Sequence, residues 1–236
     1  WSDLHSYLPR KRDKVPGQRR GWVWTPYELR TLLDSPAISW THRMRYALGA
    51  WTGARFGEVA VLRWSDWERD ARPLSRLTIS RALKSESKKE GETKTGAVKT
   101  VPVHDDLNAR LAAWWETGWT ETYGRAPAPG DLIVPTSALR PVRPSQGRRD
   151  LARDCARVGV PFRRQHGFRH TWVSAALAQG LASDVVRWAT HAPPAGAFGG
   201  YAQAPWPALC REVARLNLLG DDSGDTERHR IENVLT

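Results

Sequence analysis

The stretch Thr52-Gly53-Ala54-Arg55-Phe56-Gly57-Glu58-Val59-Ala60-Val61-Leu62-Arg63-Trp64-Ser65-Asp66 decides the reading of this chain. Met44, Ala47, Leu48 and Trp51 recur at helical spacing just before it, so a helix runs into Thr52-Gly53 and stops. A second short helical pattern, Val59 with Leu62, follows and leads into Trp64-Ser65-Asp66. Arg55 then stands at the start of that second helix. Glu58 lies three residues on, where it pairs with Arg55 or with a backbone group rather than doing acid–base chemistry.

On the N-terminal side, Thr25-Pro26-Tyr27-Glu28 supplies a cap, a proline at the first helical position and a glutamate at the third. Residues 1–20 hold Arg10-Lys11-Arg12, Lys14 and Arg19-Arg20 with little apolar periodicity, which predicts a basic linker or arm and a fold proper from about residue 21. On the C-terminal side the texture becomes β-branched. Leu77-Thr78-Ile79 and Val98 to Val103 predict a small antiparallel sheet, separated by a charged, glycine-containing stretch. Asp105 or Asp106 is placed to cap a helix carrying Leu107, Leu111 and Trp114, and Leu132-Ile133-Val134 reads as a short strand or extended run. Helices are expected over 145–158, 166–179, 183–190 and 206–219, and a polar tail over 221–236. No fixed-period repeat is present.

Composition narrows the function. Among 236 residues, 36 Lys and Arg face 25 Asp and Glu, a formal charge of +11 that suits a polyanion, nucleic acid before an anionic membrane. No stretch approaches the ~20 apolar residues of a membrane span, and no amphipathic helix sets Lys and Arg against bulky apolar residues. The two cysteines, Cys155 and Cys210, match no zinc spacing and no disulfide framework. Of the thirteen tryptophans, Trp51, Trp64, Trp114 and Trp172 fall in apolar patterns and are expected in the core. Trp22 and Trp24 flank the basic arm and are the candidates for touching DNA or a further domain.

The chemistry concentrates in His166-Gly167-Phe168-Arg169-His170. On a helix His166, Arg169, His170 and Val173 share one face, which puts two imidazoles and a guanidinium at a helix N-terminus, where free N–H groups and the dipole favour a phosphate. Arg adds a planar fork matched to phosphate oxygens. Zinc is disfavoured, because Gly167, Phe168 and Arg169 supply no carboxylate and the arginine repels the ion. Taken alone, such a basic helix face is as often solvated as functional.

Read together, these segments resemble the tyrosine recombinase and phage integrase family. Thr52 to Asp66 looks like its T-G-x-R-x-x-E segment followed by an apolar helix and L-x-W-x-D. His166 to Thr171 resembles its H-x-L-R-H-T box, with Phe168 in the leucine place. Lys94-Thr95-Gly96 before Val98 to Val103 resembles the β-hairpin lysine, and Thr190-His191 with Tyr201 resembles the closing G-H…Y segment. Lys84, Lys88, Lys89 and Lys99 compete for the lysine position, with Lys94 preferred and Lys99 second. Thr190 replaces the usual glycine, and Tyr201 follows His191 at more than the usual spacing. The resemblance covers about residues 21–219.

It implies an α+β, mostly helical tyrosine-recombinase catalytic domain with a small antiparallel β-sheet over residues 21–220. It also implies a core-binding domain ahead of it that this chain, which starts at Trp1, lacks. The implied catalytic set is Arg55, Lys94, His166, Arg169, His191 and Tyr201, with no metal and no cofactor. The implied activity is site-specific recombination of double-stranded DNA through a 3′-phosphotyrosyl link, by a homo-tetramer on two DNA sites in a bacterial cytoplasm, for a phage or mobile element. A type IB topoisomerase and an inactive DNA-binding protein on the same fold are the competing readings.

Overall fold

The computed structural model describes residues 22–84, 90–93, 96, 98–190 and 206–220. The N-terminal arm, the tail from 221, Lys94, His191 and Tyr201 lie outside the described residues. Helix α1 (Pro26–Asp34) begins as its sequence predicts: Thr25 Oγ1 accepts from the Glu28 N–H, and the Glu28 carboxylate accepts from the Thr25 N–H at 2.8 Å. Helix α2 (Trp40–Thr52) buries Met44, Ala47, Leu48 and Trp51 and ends at Gly53, whose φ of 60° is left-handed. A Cβ there would be strained and would also meet Thr190 Cγ2 at 3.1 Å. Helix α3 is a single turn (Phe56–Val59) with Arg55 as its N-cap.

The expected sheet is two sheets. After a 3-10 turn (Trp64–Asp66), β1 (Trp67–Glu68), β2 (Arg76–Ile79) and β5 (Lys99–Pro102) form a three-stranded antiparallel sheet, with Ile79 opposite Lys99 and Leu77 opposite Val101. Strands β3 (Arg81–Leu83) and β4 (Glu90–Glu92) make a separate antiparallel pair. The run Leu132-Ile133-Val134 forms no strand: Leu132 makes one isolated bridge to Arg63 and the chain bends at the next two residues.

Helix α4 (Asp105–Ala113) is capped by His104, whose Nδ1 accepts from the Asp106 N–H at 3.2 Å, and not by either aspartate. Both aspartates sit in the first turn, where they suit the dipole. A π-helical turn (Trp114–Gly118) and α5 (Trp119–Tyr123) follow. Trp64, Trp114, Trp115 and Trp119 meet edge to face in this region, and Trp114 Nε1–H donates to Ile133 O at 2.7 Å. Gly118 allows that packing, since a Cβ would lie 2.5 Å from the Trp114 ring and 2.7 Å from Trp40.

The C-terminal part is helical: α6 (Pro144–Val158), α7 (His166–Ala178), α8 (Ser183–Thr190) and α9 (Trp206–Ala214). The last helix stops at Ala214, short of the expected 219. One core cluster runs from Trp24 through α1, α2, the sheet, α4 and α7 to Leu218, with Trp51, Trp64, Trp114 and Trp172 inside it as expected. Trp24 departs from expectation. It is 2% exposed and stacks on Phe168, so it is a core residue and not a DNA contact. Among the described residues no helix is long and apolar enough to cross a membrane.

Candidate active site

Three elements converge where α2 ends. Arg55 sits at the α3 N-cap, Lys99 opens β5, and His166 and Arg169 occupy the first turn of α7. Glu58 on α3 is the carboxylate among them. It is buried, and its Oε2 accepts from the Arg55 N–H at 2.9 Å and from Lys99 Nζ at 2.9 Å, while Oε1 accepts from Arg55 Nη1 at 3.1 Å. The expected Arg55–Glu58 pairing is therefore present, with Lys99 added to it.

Burial opposes ionisation of Glu58, yet Lys99, the Arg55 N–H and the Arg55 guanidinium outweigh it and hold the carboxyl below its usual range. The Lys99 ammonium is shifted down, first by burial and then by Arg169 and Arg55, with Glu58 opposing. Its side chain is 4% exposed and its ammonium is bonded to Glu58. This bears on the competition among the lysines: Lys99 is occupied as the counter-ion of Glu58, and Lys94 lies outside the described residues. Strand periodicity could have signalled this, since Lys99 shares the inward face of Val101.

Arg169 is buried and ties three segments together. Its Nη1–H donates to Gly53 O at 2.8 Å and its Nη2–H donates to Thr190 O. The residue that immediately precedes His191 is thus fixed to the first turn of α7. Burial and then the nearby Arg55 lower the guanidinium to about 10, which leaves it cationic at neutral pH. Its five N–H groups are not exhausted by two carbonyl bonds.

His166 is exposed, with its ring edge-on to His170 at 4.7 Å. Partial burial and then the positive charges of His170, Arg169 and Arg55 lower it to about 4. At neutral pH it is an uncharged imidazole that can accept a proton. The Arg55 side chain is 35% exposed, with Nη1 bonded to the buried Glu58 carboxylate.

The helix end itself differs from expectation. The Gly167 and Phe168 N–H groups already donate to Arg164 O and Gln165 O in the tight turn that starts α7. Positive charge at this place comes from side chains more than from free backbone amides.

The sequence matches no protein-family profile and no curated protein. The fold does match solved structures. The integrase from mycobacterium phage Brujita superposes with a TM-score of 0.59 at 16% identity, over 88% of this chain and 62% of that one. The Tn1549 transposon integrase in complex with a circular intermediate DNA gives 0.58 at 14%, over 89% and 65%. The XerH site-specific recombinase bound to its difH substrate gives 0.53 at 16%, over 71% and 46%. The chain has the tyrosine-recombinase catalytic fold. It spans about half to two thirds of the length of these three relatives. Arg55, His166 and Arg169 lie close enough in it to act on one another electrostatically.

Proposed function

We propose that this chain is the catalytic part of a site-specific DNA recombinase that works without a metal. The observation that carries the reading is the convergence, from three places in the sequence, of Arg55, Lys99 and Arg169 near the Glu58 carboxylate, with His166 beside Arg169 and Arg55. That leaves an excess of positive charge beside a neutral imidazole, which suits a phosphodiester passing through a pentacoordinate state. Neighbours of the same fold include a recombinase bound to its DNA substrate and an integrase in complex with DNA.

In the proposed mechanism Arg55 and Arg169 hold the nonbridging oxygens of the scissile phosphate, and His191 donates a hydrogen bond to the same charge. The Tyr201 phenol oxygen attacks phosphorus while His166 takes its proton. The new bond is tyrosine oxygen to phosphorus. The bond from phosphorus to the 5′ oxygen breaks, and Lys94 delivers the proton that this oxygen needs. A 5′ hydroxyl of a partner strand then reverses the step, displacing tyrosine, with no nucleotide hydrolysed. Four copies on two double-stranded sites complete an exchange, and integration or excision of a phage or mobile element is the biological use.

The test is a nicked suicide DNA substrate incubated with chelator in place of magnesium, read by denaturing gel and mass spectrometry against Tyr201→Phe. A covalent adduct on Tyr201 that the phenylalanine variant lacks supports the reading, and strand exchange then separates a recombinase from a topoisomerase. DNA binding without any adduct overturns it in favour of a non-catalytic DNA-binding protein, a reading favoured by the lengthened spacing between His191 and Tyr201.

A further inference from the structure

The segment just ahead of α1 lies across the start of α7. Trp24 N–H donates to Thr171 Oγ1 at 2.8 Å, and Thr171 O–H in turn donates to Gly167 O at 2.9 Å. The Trp24 ring stacks on Phe168 with centroids 5.2 Å apart. Trp22 reaches further toward the candidate site. Its indole meets the His170 ring at 5.3 Å and 61°, and the His170 ring meets His166 at 4.7 Å and 90°. Arg164 covers the other part of the Trp22 ring at 5.8 Å.

Gly167 allows this approach. A Cβ built there would stand 2.5 Å from the Trp22 carbonyl oxygen, a backbone atom that can retreat only if the whole strap moves. The glycine sits at the variable position of the His-x-x-Arg-His segment, so in this chain that position serves the strap.

We infer that Trp22 is a positioning residue: its indole braces His170, His170 braces the His166 ring, and the strap from Trp22 to Trp24 thereby sets the imidazole of the candidate base. The inference rests on the reading of His166 as the base that takes the Tyr201 proton. Aromatic contacts of this kind prefer particular ring geometries, so they fix orientation more than they add stability. The charged and titratable groups facing His166 are His170 and Arg169 on its own helix and Arg55 on the facing turn. Without the indole the His170 and His166 rings lose their brace and can turn away from Arg169 and Arg55 into solvent, which favours the imidazolium.

The test uses the full chain labelled with 15N-histidine, the His166 ring signals being assigned by their loss in His166→Gln. The variants are Trp22→Ala, the conservative Trp22→Phe, and Gly167→Ala, whose methyl would press on the Trp22 carbonyl and stand 3.2 Å from Trp24 Nε1 while leaving the Trp22 indole itself in place. The expected result is a His166 midpoint that rises by about a unit or more in Trp22→Ala and Gly167→Ala, toward the ordinary histidine value. In Trp22→Phe it should stay near the original. On the suicide substrate, adduct formation near neutral pH should slow about tenfold in the first two variants, as a misplaced catalytic group does, and recover in the third.

A His166 midpoint unchanged in Trp22→Ala, with the variant folded by circular dichroism, overturns the positioning role. So does a Trp22→Phe variant that behaves like Trp22→Ala. The titration needs no activity. If the unmodified chain makes no adduct, the recombinase reading falls while the titration still decides the strap.

Discussion

Replacing Glu58 by glutamine should unfold this protein far more readily at neutral pH than replacing its partner Lys99, and the difference should shrink as the pH rises. Glu58 and Lys99 have side chains only 1% and 4% exposed and touch at 2.9 Å, with Arg55 and Arg169 near enough to act on the lysine. In Glu58→Gln the Lys99 ammonium keeps two cationic neighbours and loses its anion. The folded chain escapes by releasing the Lys99 proton, which caps the ionic cost at about 4.6 kcal/mol at pH 7 and about 2 kcal/mol at pH 9, from 1.36 kcal/mol per pH unit below an unfolded value of about 10.4. The sign follows from proton counts. The unfolded variant holds a proton that the folded variant lacks, so its stability rises with pH, whereas the unmodified protein retains that proton through Glu58. Lys99→Met leaves Glu58 with both of its bonds to Arg55, so its cost is that of one charge-assisted hydrogen bond, about 2 kcal/mol. Urea unfolding of both variants and the double variant at pH 7, 8 and 9 measures this. At ~2–4 °C per kcal/mol for a domain of this size, melting should drop by about 10 °C or more for Glu58→Gln at pH 7. Equal costs for the two single variants, or a Glu58→Gln cost that does not change with pH, would refute the reasoning.

Other outcomes follow from the same geometry. His166 sits at about 4 in the folded chain against about 6.5 unfolded, so between those values the unfolded chain binds the extra proton and stability falls with acidification; His166→Gln should flatten that slope in urea midpoints taken at pH 7, 5.5 and 4.5. Tyr46 O–H donates to the buried Asp154 carboxylate at 2.7 Å, and Tyr46→Phe should cost about 2 kcal/mol in the same assay. Gly118→Ala would press a methyl to within 2.5 Å of the Trp114 ring, and a loss of about 1–3 kcal/mol is expected, with an unchanged melting temperature counting against that packing. Burial pushes the Cys155 thiol up to about 11, so iodoacetamide at pH 8 should leave it unlabelled until the protein unfolds, as mass spectrometry would report.

Much of this molecule is legible in one dimension because its signals are local. The Thr25 capping box, the stop at Gly53, the pairing of Glu58 with Arg55 and the shared face of His166 and Arg169 all depend on residues within one helical turn, where chain connectivity fixes the distance. The burial of Trp51, Trp64, Trp114 and Trp172 follows from apolar periodicity for the same reason. Tertiary structure decided the rest. Lys99 finds Glu58 across 41 residues, Arg169 finds Gly53 across 116, and Trp24 finds Thr171 across 147. No local pattern encodes such pairings. A lysine in a charged stretch reads as solvated until a strand register turns it inward, and a tryptophan beside a basic arm reads as exposed until α7 supplies Phe168 to stack on. The sequence by itself determined that His166 and Arg169 share one helix face and that Arg55 opens a helix turn, because side-chain type and helical phase are one-dimensional facts. Only the fold decided which cations share one carboxylate, because that depends on how sheet, helix and strap close on the same few ångströms of space.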